Sequence, residues 1–184
     1  GAFRWLEWRM VPAGDFVYAA ARDITEHRRI QEELRRLSAR LELAVRSANM
    51  GVWDWEIAED RILWDERMLA LYGRDDHQMQ GTFEQWLDHV HPEDVTRVAQ
   101  EIEETVASNR QLDVEFRVIW PHGEVRHIKA NGGVIRGDRG CPLRVTGVHY
   151  DITERKEAER AICESHRELE MLYSISQSTS ESLE

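Results

Sequence analysis

His89-Val90-His91-Pro92-Glu93-Asp94 brings two histidines and two carboxylates into six residues. A histidine beside carboxylates is the minimal equipment for proton transfer. A Pro-Glu-Asp run is also what the first helical turn favours: proline lacks the amide hydrogen that would go unpaired there, and acidic groups meet the positive end of the dipole. The run therefore predicts a helix start rather than an acid–base site. His89 and His91 share a side only in extended chain, and no carboxylate–histidine spacing accompanies them, so no metal site is expected. His127 and His149 fall on separate predicted strands and read as a polar pair on a sheet. Cys141 and Cys163 form no Cys-x-x-Cys pair, which argues against a disulfide framework or structural zinc and for a reducing, cytoplasmic setting. The seven tryptophans read as core and sheet-face residues rather than a ligand cage. With no glycine-rich nucleotide loop, no residue is assigned as catalytic, cofactor-binding or metal-binding, and the chain reads as no enzyme in itself.

The elements that would hold these residues follow from periodicity. Residues 51–57 alternate apolar and polar, residues 61–64 form a second strand after the turn Ala58-Glu59-Asp60, and Asp65 is placed to cap a short helix ended by Gly73. Thr82 opens a helix through Val90 with Phe83, Trp86, Leu87 and Val90 on one face. A third helix runs from Pro92 to 109 with Val95, Val98, Ile102 and Val106 inward. Alternation resumes over 112–120, 124–135 and 143–151. The order ββ, three helices, βββ predicts an α+β fold: one five-stranded antiparallel sheet with helices on one face.

The chain also repeats. Arg22-Asp23-Ile24-Thr25-Glu26 is echoed by Tyr150-Asp151-Ile152-Thr153-Glu154 at an offset of 128 residues, each copy following two predicted strands and leading into a helix. In the first helix Ile30, Leu34, Leu37, Leu41, Ala44 and Ala48 form a heptad seam; in the second, Ile162, Leu169 and Leu172 keep the same phase. So narrow a stripe is marginal alone in water, which predicts coiled-coil-like pairing, most simply in a homodimer. The expected organisation is 1–26 as the final strands of a truncated upstream domain, 27–46 as a connector helix, 47–154 as a complete domain and 155–184 as an output linker helix. Thr25 and Thr153 are expected to cap their helices, with Asp23 and Asp151 accepting hydrogen bonds from a linker or neighbouring chain. These four residues form the candidate signal-relay junctions.

Composition narrows the function. With 24 basic against 35 acidic residues the formal charge is −11. Phosphates would be repelled overall, so neither nucleic acid nor a direct contact with anionic membrane is an expected partner. No apolar run approaches the roughly 20 residues that span a bilayer.

The order of these words resembles the PAS family, in the form common in bacterial sensor kinases. The matching words are Gly51-Val52-Trp53-Asp54-Trp55, Trp64-Asp65, Leu71-Tyr72-Gly73, Trp86 to Asp94, Glu115-Phe116-Arg117, His122 to Arg126, and Gly147 with Asp151 to Lys156. The likeness covers about 47–156, with a tail-end copy over 1–28. It implies a sensory and signal-relay module of a multidomain protein such as a sensor histidine kinase (a two-component system) or a cyclase, dimerising and acting on a C-terminal output domain, a GAF domain or kinase. The alternatives are a structural spacer and dimerisation module without ligand, or a fragment of an enzyme region. Flavin-binding photosensors of the family use a cysteine in a core helix and haem-binding members a histidine in the third helix. Neither stands at those places here, so no cofactor is expected to copurify. Any ligand, its identity unknown, would sit in a cavity near Phe116. His166 reads as an exposed coiled-coil histidine, since the Arg-Thr-Pro that follows a kinase phosphoacceptor is absent.

Overall fold

Alternation of buried and exposed side chains along Leu112–Ile119, with Leu112, Val114, Phe116 and Val118 inward, marks a strand that has one face on a core and one outside. The computed structural model describes residues 3–74, 81–108 and 110–181, leaving aside the side chains of 13 and 172–181. The chain divides into two compact units between Ala48 and Asn49.

The first unit is a hairpin and a helix. Strands β1 (Leu6–Ala13) and β2 (Phe16–Asp23) pair antiparallel from Leu6 opposite Asp23 to Ala13 opposite Phe16. Gly14, at φ +61°, supplies the left-handed turn residue that lets a two-residue connection follow the strand twist. Helix α1 (Thr25–Ser47) buries no residue: Ile30 and Leu37 are 50% exposed and Leu41 67%.

The second unit holds β3 (Gly51–Glu56), β4 (Arg61–Trp64), α2 (Glu66–Leu71), α3 (Phe83–Leu87), α4 (Pro92–Ser108), β5 (Leu112–Ile119), β6 (Val125–Arg136), β7 (Pro142–Asp151) and α5 (Thr153–Glu181). The five strands form one antiparallel sheet in the order β4-β3-β7-β6-β5, so the two opening strands are joined to the three closing ones through β3 and β7. This is the expected α+β architecture. Asp65 accepts the Met68 amide at 2.8 Å, and Gly73 at φ +65° ends the turn. Thr82 and Gln85 form a reciprocal capping box.

One boundary differs. Helix α3 stops at Leu87, short of Val90, because the next residues are claimed by the edge strand: His91 N–H bonds Arg117 O at 2.8 Å and Ile119 N–H bonds His89 O at 3.0 Å. Val90 then bridges Val118. Helix α4 starts at Pro92 as expected and places Val98 and Ile102 in the core; the expected last residue, at 109, lies outside the described set. Among the described residues, no helix is long and apolar enough to cross a membrane.

Candidate functional site

Between the sheet and the helices of the second unit lies a cavity of about 20 Å³, walled by Trp53, Trp64, Trp86, Ile102, Phe116 and His149 among others. That is the room one water needs. Phe116, the expected cavity residue, is in the wall, its ring edge-on to Trp86 at 5.8 Å and to His149 at 5.5 Å. Trp53 reaches the cavity because Gly147 stands opposite it and Gly132 opposite Gly147; a Cβ on Gly147 would lie 2.7 Å from the indole and 2.4 Å from Asn131 O.

His149 corrects an expectation. It does not pair with His127 on one face: it is buried on the inner side with Ala130 and Val145, while His127 lies on the outer side near Arg160. Its Nδ1 is 3.2 Å from the Tyr72 hydroxyl, which accepts the Trp86 indole N–H at 2.9 Å. Since the indole can only donate, the arrangement in which the hydroxyl both accepts and donates has Tyr72 donating to Nδ1, which places the imidazole proton on Nε2. Burial holds the ring neutral, lowering its pKa to about 3. Burial also raises the Tyr72 phenol. The Trp53 Nε1–H is buried without a partner.

The two Asp-Ile-Thr junctions share one geometry. Asp151 Oδ1 accepts the Thr153 amide at 2.7 Å, Thr153 Oγ1 accepts the His127 amide at 2.9 Å, and Ile152 N–H bonds His127 O at 2.8 Å. In the first unit Asp23, Thr25, Ile24 and Trp5 repeat these bonds at 3.0, 2.8 and 2.9 Å. The expected roles are thus exchanged. Ile24, not Thr25, is the N-cap of α1, and it makes no side-chain cap bond. The aspartate satisfies the first helical amide, and the threonine hydroxyl ties the helix root back to the start of the partner strand.

Glu115 joins the site although sequence alone marks it only as part of the Glu115-Phe116-Arg117 motif. Its carboxylate takes Lys156 Nζ and Arg155 Nη2 from α5, both at 2.7 Å. With the Lys156 bond as the main cause, the carboxyl is held down at about 2. Arg117, two residues on, grips Asp94 in the first turn of α4 through its backbone N–H at 2.9 Å and its guanidinium at 3.0 and 3.1 Å. The Arg117 bonds hold the Asp94 carboxyl at about 2. Three consecutive residues of β5 therefore touch α5, the cavity and α4. Strand alternation implies the outward direction of Glu115 and Arg117; their partners 23 to 41 residues away leave no local signal.

The other candidates are dispersed. Asp94 serves Arg117, His91 Nδ1 accepts the Glu93 amide at 3.3 Å, and His89 is half-buried beside Tyr72. Cys141 and Cys163 are exposed free thiols. Ile30, Leu34, Leu37, Leu41, Ile162 and Leu169 are at least half exposed; the Leu172 side chain lies outside the described residues. No group of three histidine, cysteine or acidic residues among those described is arranged to hold a metal.

Residues 61–149 match the family model described as PAS fold. The solved sensory box histidine kinase/response regulator of Burkholderia thailandensis E264 is 30% identical with a TM-score of 0.62, over 71% of this chain and 98% of that one. The Probable diguanylate cyclase DgcE of Escherichia coli (strain K12) is 29% identical over 84% of this chain, which spans only 14% of that protein. A third neighbour, 15% identical with a TM-score of 0.53 over 69% of this chain and 95% of that one, is a light-oxygen-voltage domain studied with a flavin analogue. It overturns the expectation of no cofactor. Absence of a core cysteine or helical histidine is no argument against cofactor use by this fold. In the arrangement described here the cavity has space for about one water, so a flavin ring does not fit unless the aromatic wall parts.

Proposed function

Because the chain belongs to the PAS family, and its PAS domain is a sensory rather than a catalytic module, we propose that it works as input and relay for an output domain in a larger, cytoplasmic bacterial signalling protein, in which the aromatic cavity senses and the Asp-Ile-Thr junction transmits. The carrying observation is that both helix roots are tied to their sheets by the same three hydrogen bonds. A helix held this way must turn with the strand pair behind it. The domain map is that read from the repeat: 1–26 as upstream PAS strands, 27–46 as connector, 47–154 as the sensing domain, 155–184 as output linker. Kinase and cyclase relatives support an output of one of those kinds, and a GAF domain fits between.

The exposed heptad seam supports a parallel homodimer paired through α1 and α5. Leu37→Glu with Leu41→Glu puts like charges on that seam. Sedimentation should find the unaltered chain dimeric at high micromolar concentration and the double variant at least ten-fold weaker in association, a loss of about 1.4 kcal/mol or more. A monomeric parent chain, or a double variant that dimerises equally well, removes the seam as the interface. Substitution of Asp151 or Thr153 should leave dimerisation intact and change output in the full-length protein; unchanged output removes the junction as relay.

A further inference from the structure

The cavity's polar inventory is one-sided. Among the described residues, those that line it carry no carboxylate, hydroxyl, amide or cationic side chain. The Trp86 N–H is spent on Tyr72 and that of Trp55 on Asp60 at 2.9 Å. Trp64 is only partly buried, which leaves two buried neighbours: the Trp53 indole N–H, without an acceptor, and the His149 ring, whose Nδ1 is engaged by Tyr72 so that Nε2 carries the proton. Their rings lie 5.4 Å apart, tilted by 52°. A buried donor without an acceptor, as Trp53 has, is costly, and a site built around one rejects molecules that cannot supply the acceptor.

Resting on the reading of this cavity as the sensing site, we propose that it takes a small, uncharged carbonyl compound whose oxygen accepts from Trp53 and His149 and whose apolar body lies against the surrounding aromatic faces. A carbonyl oxygen has two lone pairs and brings no donor. Water would accept both N–H groups but would itself present two O–H donors to a wall whose described residues offer no free acceptor. A carboxylate would enter without a cation to meet it. An ammonium group would find aromatic faces but also the positive ends of two N–H dipoles, and no anion. Admission of the body displaces the half-buried part of the wall, where Trp55 and Phe83 stack at 4.8 Å.

Acetophenone, ethylbenzene and benzoate have similar bodies and differ in the acceptor and the charge. Titrated into the whole chain and followed by tryptophan fluorescence and ligand-observed NMR, acetophenone should bind about ten-fold or more tighter than ethylbenzene, and benzoate most weakly. Trp53→Phe retains a ring for the slot over Gly147 and should erase the acetophenone preference while leaving ethylbenzene binding. His149→Phe should do the same if it folds, and Trp53→Phe is the deciding variant. Equal or tighter binding of ethylbenzene or benzoate, or a preference that survives Trp53→Phe, overturns the carbonyl assignment and leaves the cavity as a sensing site. Binding of none of the three overturns both.

Discussion

A protonated imidazole at position 149 would have the Tyr72 hydroxyl, four aromatic rings and, among the described residues, no anion around it. Its folded pKa of about 3 lies below the ordinary 6.5, so between those values the unfolded chain binds a proton that the folded one does not. Stability therefore rises with pH through that window and falls on acidification, by about 1.4 kcal/mol per pH unit once well below 6.5. Urea denaturation at pH 7 and pH 5 should show this loss, and His149→Gln should flatten it. An unchanged slope in that variant would place the acid sensitivity elsewhere. The inward direction of His149 is hard to read from sequence. Val145 and Val148 put apolar groups on both parities of β7, so alternation alone does not say which face is the core. Trp53 is legible as core, but the glycine pair that seats it is not. Gly147→Ala would drive a Cβ to 2.4 Å from a backbone oxygen; a loss of about 1–3 kcal/mol is expected in the same denaturation assay.

Strands β3 to β7 are legible because each alternates over four or more residues between turn signals, and α4 because Val98 and Ile102 repeat at helical spacing. The end of α3 is not, since Val90 continues the Phe83, Trp86, Leu87 face. Only the distant β5 strand, through Arg117 and Ile119, determines that the chain leaves the helix first. The same limit hides the grip of Glu115 on α5. That carboxyl, at about 2 against an ordinary 4.5, contributes above about pH 4.5, and its contribution is lost as pH falls toward 2. Glu115→Gln removes the charge that holds Arg155 and Lys156. These groups are partly exposed, so an effect of about 1 kcal/mol is expected, seen as roughly five-fold faster amide exchange over residues 153–160 with little change in the core strands. Exchange that rises equally in β6 and β7 would mean that Glu115 supports the sheet rather than the helix root.

At the scale of the molecule, the 128-residue echo is the most informative signal, because it relates two stretches that share no local context. It points to the pair of junctions, although the roles of aspartate and threonine within them are exchanged in the fold. The seam is legible for the opposite reason: Leu34, Leu37, Leu41 and Leu169 find no cover in their own units. The twin junctions also bear on how such chains are inherited. Removing Ile24 through Asp151 writes Asp23-Ile152-Thr153, so the junction sequence is restored with the following helix still in step. A module bounded this way can be gained or lost by unequal recombination between its own repeats without a frame error in the helix, and a lineage can lengthen or shorten its sensor array one cassette at a time.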